Sequence, residues 1–218
     1  MKTACFPVLR RRGARASTIV ELLVIIVVLL MVGVLFLPSA NRRMVTPTRM
    51  NCCNNLKQIG IAFRQFSIDH TNLFPMALST NLGGSREWTG DVLQHYLTVS
   101  NQMAAPSVLY CPDDRQRTPA MSWDRLSRGN ISYFVSLDAD ETQPQMVLAG
   151  DRNLTIDGLP AKPGILTLMP NSQLGFTTEI HNGSGNVVLA DGSVQQLSAA
   201  RLRDQIRNAG STNRIAIP

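Results

Sequence analysis

Two residues near the carboxyl end, His181 and Asp191, have side chains suited to proton transfer. Nine residues separate them, and these begin with the turn signal Asn182-Gly183-Ser184-Gly185, which predicts a hairpin in which the two side chains can approach. No serine or cysteine stands in a recognised nucleophile-turn motif. A His–Asp hydrogen bond that fixes the strand register is therefore favoured over a catalytic dyad. Asp191-Gly192 is interpreted as a turn in which glycine takes a positive φ.

The cysteines are the second group with chemical potential, and they are Cys5, Cys52, Cys53 and Cys111. The chain has no cysteine pair spaced by two residues and no neighbouring histidine pair, so the spacing predicts no metal site. Free or buried thiols and a disulfide both remain open at this point.

Glu21 is the third feature, because it interrupts an apolar run that extends from Ser17 to Pro38. A carboxylate inside a membrane span costs about 2.5–3.5 kcal/mol and usually marks a paired or functional site. The apolar stretch of about 19 residues would form a helix of about 28 Å, close to the ~30 Å of a bilayer core. A cleaved secretory signal ending at Ala40 and a buried core helix are alternatives, but the length favours a retained anchor.

The charge distribution supports this interpretation and sets the orientation. The formal net charge is +6, yet five of the 21 basic residues precede the apolar run, where there is no acidic residue. Positive charge stays cytoplasmic, so the carboxyl-terminal part is expected on the outer side of the membrane. The later sequence has no basic patch interleaved with aromatic residues, and nucleic acid is therefore not an expected partner.

These residues must be positioned by helices and strands whose patterns are visible in the sequence. An apolar stripe with helical spacing predicts a helix over residues 48–70, and its members are Cys52, Leu56, Ile59, Phe63, Phe66 and His70. Shorter helices are predicted over Asp91–Leu97 and over Ala199–Ala209, the second capped by Ser198 and stopped by Gly210.

Strand-like segments dominate the carboxyl-terminal half. They are Ser107–Cys111, Ile131–Leu137, Met146–Ala149, Ile165–Leu168, Gly175–His181, Asn186–Ala190 and Ser193–Leu197. The last three, joined by turns, predict an antiparallel meander. The fold class is α+β: a long amino-terminal helix, apolar and then amphipathic, packed on a mainly antiparallel sheet.

The residues at both ends of the chain resemble those of one protein family. The segment STIVELLVIIVVLL, preceded by a basic leader, resembles the amino-terminal signature of type IV pilin-like proteins, and Pro38 lies where such helices often carry a proline. The segment RMNCCNNLKQIGIAFRQF looks like the region after the anchor in bacterial pseudopilin-like proteins. His181, nine residues and then Asp191-Gly192 match a carboxyl-terminal hallmark of that family.

The resemblance implies a domain plan and a processing step. The plan is a leader over residues 1–16, an anchor and assembly helix over 17–38, its continuation over 39–70, and an exported domain over 71–218. A prepilin peptidase would cut between Ala16 and Ser17 and Ser17 would be N-methylated, although relatives usually have Gly and Phe there. The new ammonium group would then neutralise Glu21 of a neighbouring subunit in an assembled fibre.

The resemblance also implies a disulfide between Cys52 and Cys111, since relatives carry cysteines at similar places, with Cys53 left over. Free thiols remain the alternative. Some pseudopilins bind Ca²⁺, and the acidic residues Asp138, Asp140, Glu141 and Asp151 could do so here. They lack the spacing of an EF-hand loop, so a solvated loop and no cofactor are expected.

The functional expectation is a non-enzymatic subunit of a type II-secretion pseudopilus or a type IV pilus-like assembly. It would be anchored in a bacterial inner membrane by one pass, with its carboxyl-terminal domain periplasmic, and its partners would be other pilin-like subunits and the peptidase. One alternative is an anchored periplasmic binding or sensing protein that does not polymerise. A second is an anchored hydrolase that uses His181 and Asp191.

Overall fold

The computed structural model describes residues 19–36, 47–210 and 212–218. The chain divides into two compact units, Met1–Met44 and Val45–Pro218. Several sequence predictions lie outside the described residues, namely the leader, the Ala16–Ser17 cleavage site, Pro38 and the first part of the predicted helix continuation, residues 39–46.

The described element of the first unit is helix α1, Ile19–Phe36. The large apolar side chains from Ile19 to Val32 are exposed by 42% to 83%. Glu21 lies in the first turn, where a carboxylate interacts favourably with the positive end of the helix dipole. Within the residues that the structure describes, no helix combines the length and the hydropathy that a membrane crossing requires.

The second unit combines helices with two antiparallel sheets, so the predicted α+β class with mainly antiparallel sheets is confirmed. Its α-helices are α2 (Pro47–Asp69), α3 (Val92–Thr98) and α4 (Ala199–Ala209). Its strands are β1 (Tyr133–Ser136), β2 (Val147–Asp151), β3 (Leu154–Ile156), β4 (Leu159–Pro160), β5 (Gly164–Leu168), β6 (Leu174–Phe176), β7 (Ser184–Leu189), β8 (Val194–Ser198) and β9 (Asn213–Ile217). The larger sheet has the order β5-β9-β1-β2-β7-β8 and the smaller one β4-β3-β6.

Helix α2 packs on the larger sheet through the stripe that the sequence predicted. The members of the stripe from Cys52 to Phe66 are at most 3% exposed, whereas His70 is half-buried and stacks on the Phe66 ring with centroids 3.9 Å apart. The predicted boundaries of α4 are confirmed, with Ser198 accepting a hydrogen bond from the amide of Arg201 and Gly210 in the left-handed region at a φ of 69°.

The central strands β1, β2 and β7 of the larger sheet are buried on both faces because α2 and α4 lie on opposite sides of it. Alternation along β7 sends Val188 into the cluster that contains α2 and Val187 into the cluster that contains α4. Phe134 and Val135 of β1 divide in the same way. Central strands therefore appear in the sequence as continuous apolar runs.

The predicted strand Gly175–His181 and the meander that begins with it are wrong. Strand β6 ends at Phe176 and pairs with β3 in the smaller sheet, not with β7. Residues 178–183 form turns, in which His181 and Asn182 adopt positive φ values of 53° and 58°. A β-strand cannot contain that conformation, so only the β7–β8 hairpin of the proposed meander exists.

Two further differences concern a short helix and an interior strand. The predicted strand Ser107–Cys111 is a 3₁₀ helix, Pro106–Leu109, because Pro106 fixes its own φ and opens the helix at its first position. Strand β9 was not predicted, although it lies in the interior of the larger sheet between β5 and β1. Asn213 at its start accepts from the Ser136 hydroxyl at 2.5 Å and donates to the carbonyl of Val147 at 3.1 Å.

We expect Gly60→Ala to destabilise the protein, against the usual preference of helices for alanine. A Cβ at Gly60 would lie 2.6 Å from Cγ2 of Val188 on β7. Overpacking of this kind costs about 1–3 kcal/mol, more than the roughly 1 kcal/mol gained in helix propensity. Urea unfolding measures the difference.

Gly90→Ala, in the turn before α3, is a control for open space outside a helix, since its Cβ would lie no closer than 3.9 Å to Ile165. Val188→Ala combined with Gly60→Ala should cost less than the two single changes added together. Full additivity would show that the α2–β7 contact does not limit the space at Gly60.

Candidate functional site

The polar cluster of greatest chemical interest surrounds His181, in the turns between β6 and β7. Asn153 holds this segment by donating its amide to the carbonyls of Thr177, at 3.0 Å, and Ile180, at 2.9 Å. The positive φ of His181 turns its side chain under the loop that contains Cys111. The imidazole is fully buried.

Each ring nitrogen of His181 has an acidic neighbour. Nδ1 lies 2.8 Å from Oδ2 of Asp113, and Nε2 lies 3.4 Å from Oδ2 of Asp151. Nε2 is also 3.5 Å from Sγ of Cys111. The short contact to Asp113 assigns the proton to Nδ1, which donates to the carboxylate and leaves the Nε2 lone pair facing the sulfur.

A disulfide between Cys52 and Cys111 forms one wall of the cluster. The two Cα atoms are 5.1 Å apart, and neither residue is exposed. This is the pair that the family resemblance implied. It joins the first half of α2 to the loop that carries Asp113, and thereby holds that carboxylate against His181.

Asp151, at the end of β2, is a carboxylate deep inside the protein. Its Oδ2 accepts hydrogen bonds from the backbone amide of Asn186, at 2.6 Å, and from the side-chain amide, at 2.9 Å. Its Oδ1 is buried and has no hydrogen-bond partner among the described residues. Such an orphaned oxygen is unfavourable unless the carboxyl is protonated or a cation is near, and the positive charge of Arg49 does act on this carboxyl.

Burial dominates the titration of this cluster. Desolvation raises the pKa of Asp151 to about 7, against the hydrogen bonds from Asn186, which lower it. Desolvation lowers the pKa of His181, and the attraction of Asp113 opposes that change. Both shifts favour the uncharged forms, as expected for groups removed from water.

Cys53 follows Cys52 in sequence but faces another way on α2. Its Sγ lies 3.3 Å from Oδ1 of Asn186 and accepts from the side-chain amide of Gln196 at 3.1 Å. Burial raises the pKa of this thiol. Cys53 is left outside the disulfide, as the resemblance implied. Because a raised pKa leaves little thiolate, Cys53 is not an activated nucleophile.

The predicted hydrogen bond between His181 and Asp191 is wrong. Strand β7 lies between them, and its six residues span about 20 Å at roughly 3.3 Å per residue. The Oδ1 of Asp191 accepts instead from the amide of Ser193 at 2.8 Å, and its carbonyl accepts from the guanidinium of Arg64. Gly192 has a φ of 83°, as the turn interpretation predicted.

The acidic residues considered for Ca²⁺ do not converge. Asp151 pairs with Tyr133 at the start of β1, whereas Asp138 follows the end of that strand. Asp138 is held by the guanidinium of Arg214 and Glu141 by the hydroxyl of Ser67, while Asp140 accepts from the amide and the hydroxyl of Thr142. The four carboxylates therefore face separate partners.

Glu21 is exposed and forms no hydrogen bond or ion pair with any residue that the structure describes. The proposed partner of this carboxylate, the ammonium of Ser17, lies outside the described residues, as do Ala16 and Pro38. The prediction of an intersubunit contact therefore stays a prediction.

The His181 cluster can hold a proton or coordinate a cation. The imidazole, Asp151 and both bridged cysteines are buried, and a hydrolytic dyad of His181 and Asp191 is excluded by their separation. Sγ of Cys52, Sγ of Cys111 and Nε2 of His181 lie within 4.8 Å of one another, a ligand grouping that the sequence spacing did not predict. The sequence feature from which Asp113 could have been found is the Cys-Pro-Asp-Asp segment at 111–114, which places an acid next to a cysteine.

Comparison with protein-family models, with curated proteins and with solved structures finds no match to this chain.

We expect reduction of the Cys52–Cys111 bond to lower the free energy of unfolding by about 4 kcal/mol, from the loop entropy of a 59-residue separation. Urea unfolding of oxidised and phosphine-reduced protein, both with a chelator present, measures the difference. Cys53→Ser should show the same difference, because Cys53 is outside the bond. Equal stability of the two forms would contradict the prediction.

We expect Asp113→Ala to change the titration of His181 and Asp191→Ala to leave it unchanged. Removing the Asp113 carboxylate withdraws the acceptor of Nδ1–H and the attraction that raises the pKa of His181. The Nε2–H tautomer should gain population, and the pKa should fall further. Nitrogen chemical shifts of the labelled imidazole measure both effects. A change in these shifts in Asp191→Ala would instead support the hydrogen bond between His181 and Asp191 that the sequence predicted.

Proposed function

We propose that the protein is a non-enzymatic pilin-like subunit, anchored by its amino-terminal segment in a bacterial inner membrane and assembled with similar subunits. The observation that carries this proposal is the single carboxylate, Glu21, in the first turn of an otherwise uncharged apolar helix. The type IV pilin-like signature of the surrounding residues supports it. The fibre would be a type II-secretion pseudopilus or a type IV pilus-like assembly.

The exposed surface of α1 requires an apolar environment. Every large apolar side chain from Ile19 to Val32 is at least 42% exposed. A surface of this kind is not left in water, since contiguous apolar patches mark membrane or protein contacts. The predicted anchor, residues 17–38, extends beyond the described helix at both ends. We propose that it contacts lipid before assembly and the helices of neighbouring subunits after assembly.

The position of Glu21 adds specificity to that contact. A lone carboxylate in an apolar environment is costly, and a cation from a second subunit offsets the cost only in one register. Cleavage between Ala16 and Ser17 would create an ammonium group four residues before Glu21. Pairing this ammonium with Glu21 of a neighbour makes assembly depend on both processing and the carboxylate.

The second unit has features suited to the same role. The buried stripe of α2 faces the sheet, while Met50, Ile61 and Ile68 on the helix are exposed by 55%, 52% and 67%. Their spacings of 11 and 7 residues put them on one face of a helix. This face, which we call the outer face of α2, is available for packing between subunits. The disulfide is consistent with an exported domain.

Glu21→Gln should leave membrane association unchanged and abolish co-assembly, because the amide keeps the shape but not the charge. Glu21→Asp, which keeps the charge, should retain part of the co-assembly. Membrane fractionation followed by crosslinking of tagged and untagged copies measures the two properties separately. Glu179→Gln, at an exposed position of the second unit, is the matched control. Unchanged crosslinking in Glu21→Gln would refute the assembly role.

Intact mass and amino-terminal sequencing of membrane-extracted protein test the processing step. We expect loss of residues 1–16 and a methylated Ser17. Retention of the leader, together with a protein that stays monomeric in the membrane, would support the alternative of an anchored binding or sensing module.

A further inference from the structure

We propose that Cys52, Cys111 and His181 form a binding site for a thiophilic divalent cation, with Zn²⁺ as the best fit, in the chain whose disulfide has not formed. The site is independent of the assembly role of Glu21. It lies within the second unit and uses the Sγ atoms of both cysteines and the Nε2 atom of the histidine.

The donor set and its distances match zinc chemistry. Zn²⁺ binds thiolate at about 2.3 Å and imidazole at about 2.0–2.1 Å, so a tetrahedral site separates S from N by roughly 3.5 Å. Cys111 Sγ and His181 Nε2 are 3.5 Å apart. The two sulfurs must separate by roughly 1.7 Å from a bonded pair, a movement within reach of rotation about their Cα–Cβ bonds.

The surroundings provide what a metal-bound histidine usually has. A metal-bound histidine usually donates a hydrogen bond from the N–H of its other ring nitrogen to a carboxylate. This hydrogen bond fixes the tautomer and raises the basicity of the ligand atom. Here Nδ1 of His181 donates to Asp113 at 2.8 Å, and Nε2 faces the sulfur. Asp113 is two residues after Cys111. The same loop therefore supplies both a metal ligand, Cys111, and the carboxylate that accepts a hydrogen bond from the histidine ligand.

The buried carboxylate of Asp151 lies close enough to supply a fourth ligand, and the positive charge of Arg49 already acts on it. Asp151 is fully buried, its Oδ2 is 3.4 Å from Nε2 of His181, and its Oδ1 has no hydrogen-bond partner among the described residues. Buried oxygens are rarely left unpaired. The fourth position of the site falls to Asp151 or to a water molecule.

The binding step balances without electron transfer. The thiols of Cys52 and Cys111 each release a proton to solvent, two Zn–S bonds form, and the Nε2 lone pair forms a third bond. Two thiolates and one divalent cation are neutral together, which suits a buried site. A carboxylate of Asp151 in the fourth position would add one negative charge, and the nearby positive charge of Arg49 would offset it. The disulfide has no thiolate to offer, so metal binding and the Cys52–Cys111 bond exclude each other.

The test uses the full chain in detergent, with Cys5→Ser as background, reduced by a phosphine. In this reduction the phosphine is oxidised to a phosphine oxide, whose oxygen comes from water, and the disulfide is reduced to two thiols. Co²⁺ is then added as a spectroscopic probe. We expect about one Co²⁺ per chain with thiolate-to-cobalt charge-transfer and tetrahedral bands. Zn²⁺ should displace it, and the disulfide form should give no bands.

Three variants and a protection experiment separate this site from adventitious binding. Asp113→Asn should weaken Co²⁺ binding about 10–100-fold, as changes to the hydrogen-bond partner of a metal ligand do, and His181→Ala should weaken it further. Cys53→Ser should bind as the background does, because Cys53 points to Asn186 and Gln196. Bound Zn²⁺ should protect Cys52 and Cys111 from alkylation, as mapped by mass spectrometry, and leave Cys53 reactive.

Absence of the charge-transfer bands in the reduced background protein overturns the proposal. So does loss of the bands in Cys53→Ser, or equal affinity in Asp113→Asn. If His181→Ala does not fold, the alkylation pattern of the background protein decides, since protection without selectivity for Cys52 and Cys111 also contradicts the site.

Discussion

The contact between α2 and the larger sheet determines the arrangement of the rest of the second unit. The buried stripe of the helix lies on β2 and β7, and Gly60 allows the helix to approach Val188 without a Cβ between them. This contact brings Cys52 within bonding distance of Cys111, and the outer face of α2 is left exposed. Because protein interiors are densely packed, a change of one methyl group at the contact is expected to affect stability.

The polar cluster around His181 depends on that packing. Asp113 comes from a loop, Asp151 from the end of β2, and His181 from the turns before β7. His181 and Asp151 are buried in a region where burial favours their uncharged forms, and the cluster is held by hydrogen bonds and by the disulfide. The closeness of sulfur and imidazole is what makes the reduced chain a candidate ligand for a metal ion.

Patterns based on near neighbours predicted the helices well and the strand partners poorly. The stripe on α2 and the caps of α4 depend on residues within a few positions of each other, and both were found as predicted. The meander failed because β6 pairs with β3, a choice governed by packing across the smaller sheet. Strand β9 was missed, although it lies in the interior of the larger sheet and its Asn213 is bonded to β1 and β2.

The sequence alone determined the α+β class, the amphipathic helix and the isolated carboxylate of Glu21, since composition and periodicity depend on local chemistry. It could not determine which acid faces His181. Asp191, suggested by spacing, lies at the other end of β7, whereas Asp113 and Asp151 are 68 and 30 residues away in the chain. Only the tertiary structure decided this, because the burial of apolar surface between α2 and the sheet brings distant segments together and fixes which polar groups are enclosed between them.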